Sequence, residues 1–297
     1  MVWVVTASTM KQTLDHLPAH KQAQLRAIVD IIRGLTEVEM IILFGSYARG
    51  DWVEDPGGGY FSDVDLMILV QGERVADNHN LWFKAEVRAE KVTRGIPVEL
   101  VVHTVKDVNR KLEGGWYFFT DIYEEGVVLY DSYRHQLAEP REMTLAQRRD
   151  FAQACFDDYF GKAGRIYDVF EFCVQRGHLN EAAFELHQVT ETCYKTMLLV
   201  FLAYRPKEHN IEKLGVKCSK LHEAMGGIFP MDTPEAEERF KLLKAAYVDA
   251  RYSMKYRITR EDLDILASHV RELRARTERI CREHIAELAA AAGEASE

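Results

Sequence analysis

Apolar positions along this chain change their period several times, and each change marks an element. From Ala19 to Leu35 they recur every three to four residues, which predicts an amphipathic helix. Val38 to Phe44 is a largely apolar run that meets no breaker until Gly45, which predicts a buried strand. Similar runs cover Asp63 to Val70, Pro97 to His103 and, more briefly, Val127 to Asp131, and helices fit Leu81 to Thr93 and the segment near Lys106. The alternation predicts an α/β (α+β) domain with a mixed sheet over residues 1–140.

Past Thr144 the strand signals stop. Thr144 is placed to cap a helix running through Phe151, Phe156 and Phe160 toward Val174, ended by Gly177. A second helix is expected from Asn180 to Tyr204, where Ala183, Leu186, Val189, Cys193, Met197 and Phe201 share one stripe and Pro206 follows. Further helices fit Ile211 to Met225, Pro234 to Ala250 and Glu261 to about Leu288, with the last eight or so residues expected to fray. Residues 141–297 therefore read as an all-α helical-bundle domain. Trp116 to Tyr123 is mainly aromatic, a stretch suited to a core or seam, with base stacking as the other reading.

Composition narrows the setting. A chain of 297 residues, 47% hydrophobic, is long enough for two domains with substantial cores. Met1 to Thr6 is too short and lacks the basic start of a secretory signal, and no run is long enough to span a membrane. Five scattered cysteines without a C-x-x-C spacing suit buried thiols in a reducing cytoplasm, which is the expected location. A net charge of -9 argues against broad electrostatic binding of nucleic acid and is neutral about a nucleotide carried with Mg²⁺.

The chemistry concentrates in two stretches, Leu43-Phe44-Gly45-Ser46-Tyr47-Ala48-Arg49-Gly50 and Ser62-Asp63-Val64-Asp65-Leu66. Gly45 lets a phosphate approach the backbone, Ser46 adds a hydroxyl, and a short helix begun near Tyr47 offers N–H groups to an anion. Asp63 and Asp65 stand at the mouth of a strand, two residues apart and so on one face. Paired carboxylates of this kind suit Mg²⁺ completed by phosphate oxygens. Glu99, an acid within the apolar run Pro97 to His103, reads as a third ligand because a buried charge needs a partner; an edge strand turning Glu99 to solvent is the alternative. Arg49 follows the turn and either reaches a phosphate or serves solubility.

Gly45, Ser46, Asp63, Asp65 and Glu99 resemble, position by position, the pattern of the polymerase-β-like nucleotidyltransferase superfamily, and within it the minimal nucleotidyltransferases. One departure is a long spacer between Ser46 and Asp63, enlarged by Trp52 to Tyr60 and read as a flexible loop. It either closes over the nucleotide, shapes the acceptor site or is a tolerated surface insertion. The resemblance implies two Mg²⁺ ions bridged by Asp63 and Asp65, with Glu99 holding the ion nearest the acceptor and helping to deprotonate it, and an NTP substrate expected to be ATP.

The second half resembles the HEPN domains often fused or paired with minimal nucleotidyltransferases. The residues carrying it are Asn180 to Gln188 with Glu191 and Lys195, then His209-Asn210-Ile211 with Leu214, then Ala250-Arg251-Tyr252. Many of that family are ribonucleases with an arginine followed, four to six residues on, by a histidine. Here Arg251 is followed by Tyr256, Arg257 and Ile258 in that window, and tyrosine is a poor general base at neutral pH. Arg279 and His284 meet the spacing formally but on different faces of one helix. His187 reads as a helix-face polar group near Glu191, His209 as a group orienting the next helix, and His103 as able to approach Glu99. Arg251, Lys255, Arg257 and Arg260 make a basic run that either binds a phosphate or is a solvated turn.

The leading expectation is an NMP transferase, AMP from ATP, acting on a hydroxyl of a protein or small molecule. In related two-gene systems the enzyme modifies a tyrosine of its helical partner, which makes Tyr252 and Tyr256 candidate acceptors. The alternatives are a nucleotide-binding regulator without efficient transfer and a ribonuclease or toxin-antitoxin-like effector, with RNA as a partner of the helical half. The resemblance also implies a homodimer.

Overall fold

A computed structural model describes residues 10–55 and 60–294. The run Met1 to Thr6 and the glycines Gly57 to Gly59 lie outside the described residues. The chain divides between Glu142 and Met143 into two compact units.

The first unit runs α1 (Ala19–Leu35), β1 (Met40–Phe44), α2 (Gly45–Arg49), β2 (Glu54–Asp55), β3 (Tyr60–Phe61), β4 (Val64–Val70), α3 (Glu73–Ala76), α4 (His79–Val92), β5 (Val98–Thr104), α5 (Val105–Glu113), α6 (Tyr117–Glu125) and β6 (Val127–Asp131). Four strands form one mixed sheet in the order β5-β4-β1-β6, with β1 antiparallel to both neighbours and β4 parallel to β5. β1 and β4 are the central strands, which is why both lack the polar alternation of a half-exposed sheet. Leu25, Ile28, Val29 and Ile32 form the buried stripe of α1, joining Ile41, Leu66, Ile68, Trp82 and Ala85 in one core. The edge strand β6 is pinned at its end. Glu39, 4% exposed, accepts hydrogen bonds from Ser132 Oγ at 2.7 Å and Arg134 Nε at 3.1 Å.

One expectation changes here, and the core reading of the aromatic stretch holds. Trp52 to Tyr60 is not a plain loop: Glu54–Asp55 and Tyr60–Phe61 pair as a short hairpin, its base closed by Ser62 N donating to Val53 O and Val53 N donating to Ser62 Oγ, each at 2.9 Å. The aromatic stretch forms α6, with Phe118 edge-on to Phe44 at 5.7 Å and Phe119 edge-on to His103 at 5.3 Å. These rings pack the core.

The second unit runs α7 (Leu145–Arg176), α8 (Leu179–Leu202), α9 (Ile211–Leu221), a 3-10 turn (Glu223–Met225), α10 (Pro234–Ala245), α11 (Asp249–Tyr252) and α12 (Arg260–Glu294). Among the described residues it contains no strand. Thr144 and Gln147 form a reciprocal capping box at the start of α7, and Gly177 ends the helix at φ 74°. α7, α8 and α12 pack on one another around Phe156, Tyr167, Leu186, Met197, Val270 and Leu273. The expected helix over Pro234 to Ala250 is interrupted after Ala245, and α12 runs on to Glu294, past its expected end near Leu288.

None of the five cysteines is paired. Burial pushes the Cys155 thiol up to about 11 and the Cys193 thiol up to about 12, so both stay protonated and inert. No described helix is long and apolar enough to cross a membrane. Replacing Thr144 with Ala removes one half of the capping box and is expected to lower stability by about 1 kcal/mol, read from urea unfolding followed by circular dichroism.

Candidate functional site

The sheet register brings the carboxylates of the first unit together. β1 ends at Phe44, which pairs with Asp65 across the antiparallel ladder, while Asp65 pairs with Glu99 across the parallel one. In-register residues of neighbouring strands project to the same face, roughly 5 Å apart. Asp65 and Glu99 are therefore side-chain neighbours, and both are half-buried, as is Asp63 just ahead of β4.

Gly45 starts the turn out of β1 with φ 70°, a conformation that side chains resist. A Cβ at this position would also collide with Asp65 Oδ2 and stand 3.2 Å from Asp65 Cγ. The carboxylate thus lies directly over the glycine backbone. Ser46 follows within α2, and its carbonyl accepts from Gly50 N at 2.9 Å and Asp51 N at 3.1 Å, which closes the turn. Arg49 is half-exposed, with Nε 3.3 Å from Asp51 and NH1 3.6 Å from Glu125. Exposed pairs of this kind hold less than about 1 kcal/mol, so Arg49 can exchange them for a phosphate at little cost.

Among the described residues no three His, Cys, Asp or Glu side chains are gathered so as to hold a metal ion by themselves. The donor set still suits magnesium, which takes one or two protein carboxylates and completes its shell with water and substrate phosphate. Asp65 is the carboxylate beside the Gly45-Ser46 turn, and Asp63 precedes it by two residues. His103 lies on the same strand as Glu99. It is buried four residues further along β5, its Nδ1 2.8 Å from Asp107 Oδ2.

A group of side chains that the motif does not reveal surrounds α2. Lys21 is buried on the apolar stripe of α1, ion-paired with Glu54 and 3.4 Å from the Tyr47 hydroxyl, which itself donates to Glu54 Oε1 at 3.0 Å. Trp52 stacks on Tyr47 at 5.6 Å. The signal in the sequence is a lysine four residues before Leu25 on an otherwise apolar stripe.

In the second unit the polar residues cluster on α8. Glu191, 7% exposed, lies 2.8 Å from Lys195 Nζ and 3.1 Å from His209 Nδ1, with His187 Nε2 at 3.7 Å. His187 is fully buried and donates through Nδ1 to Leu243 O at 3.0 Å. His209 stacks on Tyr247 at 4.6 Å. Burial pushes the Glu191 carboxyl up, but the groups around it outweigh that and hold it well below the usual carboxylate range.

Arg251 donates from Nε to Tyr247 O at 2.9 Å, and its guanidinium lies over the Phe184 ring at 4.5 Å. Tyr256 is 5% exposed, its hydroxyl donates to Leu242 O at 3.0 Å, and burial raises its pKa further. This corrects the expectation that Tyr256 is an accessible acceptor. Tyr252, 75% exposed, is accessible. The Arg279 and His284 pair is also separated by its contacts, Arg279 bonding Glu283 at 2.9 Å and His284 stacking on Phe201 at 4.1 Å.

Each unit has a counterpart among known proteins. Residues 26–135 match the model of the polymerase beta nucleotidyltransferase family, and residues 156–280 match that of the HEPN domain. A protein of Methanocaldococcus jannaschii named "putative protein adenylyltransferase" is 35% identical over 95 residues, a stretch covering 31% of this chain and 79% of that protein.

Gly45→Ala is expected to cost about 1–3 kcal/mol through backbone strain and the clash with Asp65, and less in an Asp65→Ala background, where the clash is gone; a double-mutant cycle in urea reads the difference. Glu191→Gln is expected to cost about 3 kcal/mol at neutral pH by leaving the buried Lys195 ammonium uncompensated. Because the folded Glu191 pKa is depressed, its contribution is present above the ordinary carboxylate pKa of about 4.3 and is lost as pH falls below it. The stability of the wild type should therefore drop more steeply in acid than that of the variant.

Proposed function

This chain belongs to the polymerase-β nucleotidyltransferase family and carries a HEPN domain in its helical half, and we propose that it transfers AMP from ATP to a hydroxyl of a protein. The observation that carries the reading is the register that sets Asp65 between the Gly45 backbone and Glu99. The name of the Methanocaldococcus jannaschii relative supports protein as the acceptor class.

In this reading the acceptor hydroxyl oxygen attacks the α-phosphorus, a new P–O bond forms, the bond to the bridging oxygen breaks, and pyrophosphate leaves with that electron pair. The Gly45-Ser46 turn receives the triphosphate through its backbone and the Ser46 hydroxyl, and Arg49 exchanges Asp51 and Glu125 for a phosphate. Asp63 and Asp65 would hold two magnesium ions, whose charge when bound offsets that of the leaving pyrophosphate and lowers the pKa of the attacking hydroxyl. Glu99, beside Asp65, takes the hydroxyl proton.

Tyr252 is the self-modification target favoured by exposure, in the same chain or a second copy. The basic run near it, Arg251, Lys255 and Arg257, gives a phosphate-bearing group local positive charge. Incubation with ATP and MgCl₂ followed by intact mass and peptide mapping is expected to show one added AMP on Tyr252. Asp63→Ala/Asp65→Ala should show none, and Tyr252→Phe should lose that site alone. Nucleotide binding without any pyrophosphate release would instead favour a regulator.

A further inference from the structure

The spacer between the two halves of the nucleotide motif is tied to the turn it follows by a charge network built on a buried lysine. Lys21 has 7% of its side chain exposed, and an ammonium removed from water to that degree is stable only when paired. Its partners come from two other elements. Glu54 belongs to β2, the first strand of the hairpin, and Tyr47 belongs to α2, the helix opened by Gly45 and Ser46. The Tyr47 hydroxyl donates to Glu54 Oε1 at 3.0 Å and lies 3.4 Å from Lys21 Nζ, so the three polar ends meet at one point.

The apolar parts repeat the same connection. Trp52 stacks on Tyr47 at 5.6 Å, with the planes 19° apart. His16 Nε2 donates to Tyr47 O at 2.8 Å from the other side, leaving α2 held by the segment before α1 as well. The hairpin that carries Glu54 returns through Tyr60–Phe61 and is closed at its base by the two Val53 and Ser62 hydrogen bonds. Asp63 is the next residue. Burial and the neighbouring Glu54 carboxylate raise the Tyr47 phenol's pKa, with a smaller effect from the Asp63 charge. A phenol held protonated in this way is a fixed donor and not a nucleophile.

We propose that Lys21, Tyr47 and Glu54 are positioning residues that fix the hairpin base against α2 and thereby set Asp63 beside Asp65 for binding of a divalent cation with the nucleotide. The inference rests on the reading of Asp63 and Asp65 as the cation ligands. A hydrogen-bonded residue that orients a ligand changes metal affinity more than it changes folding, by about tenfold or more when removed.

The test uses the full chain, a nonhydrolysable ATP analogue and Mn²⁺ as a paramagnetic probe, with free Mn²⁺ read by electron paramagnetic resonance. Tyr47→Phe keeps the Trp52 stack and loses only the hydroxyl; Glu54→Gln keeps the shape of a half-exposed side chain and loses only the charge. Each is expected to weaken Mn²⁺ binding about tenfold. The double variant should be no weaker than the poorer single one, since one network can be broken only once, and melting curves should show all of them folded at the assay temperature. Wild-type Mn²⁺ affinity in both single variants, or losses that multiply in the double variant, would overturn the proposal. Asp63→Ala separates the two levels. If it binds Mn²⁺ as wild type does, the ligand assignment beneath the proposal fails; if it loses Mn²⁺ while Tyr47→Phe does not, only the network fails.

Discussion

The close approach of the Asp65 carboxylate to the backbone of Gly45 governs the arrangement of the first unit's site. It requires a residue without Cβ at the end of β1, in a conformation that side chains resist, and it requires β1 and β4 to pair with Phe44 opposite Asp65. A slip of one residue in that ladder would turn Asp65 to the other face and put Val64 or Leu66 over the turn. The apolar residues of β4 prevent the slip, because Val64, Leu66, Ile68 and Val70 all join the same core. Burial on the sheet therefore sets the register, and the register sets which carboxylates share a face.

Each unit also buries a charge, and each handles it in the same way. Lys21 meets Glu54 and the Tyr47 hydroxyl; Glu191 meets Lys195, His209 and His187. Leaving such an ion uncompensated costs several kcal/mol, whereas a surface pair such as Arg49 with Asp51 is worth less than about 1 kcal/mol. The buried groups consequently act as fixed points of their units, and the exposed ones can change partners. Arg251 is intermediate. Its guanidinium lies against aromatic faces and a backbone carbonyl, contacts that orient it without neutralising it.

The amino-acid sequence is most legible where local physics decides. The α1 stripe, the Thr144 cap and the Gly177 stop are written within a few neighbouring residues, and the structure has each of them. The pairing of Asp65 with Glu99 is visible in the sequence only as a shared neighbourhood, because register depends on how two distant strands meet. The hairpin at Glu54 reads as a loop since its strands are two residues long and flank a run of glycines; what holds it is Lys21, more than thirty residues earlier. Tyr256 misleads for a related reason. Nothing local to Met254-Lys255-Tyr256 indicates that its hydroxyl reaches Leu242 O and that its ring is enclosed.

The lock on β6 has a bearing on the order in which the molecule can be built. β1 is the inner neighbour of β6, and Glu39 beside it waits for Ser132 and Arg134, more than ninety residues later in the chain. On a ribosome the Gly45-Ser46 turn, both aspartates and Glu99 emerge before their sheet can close at that edge. Chain entropy resists such distant pairings until the last strand arrives. The long α7–α8 hairpin is joined through Gly177 and His178, so its two helices can pack on each other before α12 completes the bundle. The strand that closes the sheet thus arrives after every residue of the carboxylate face and contributes none of its chemistry.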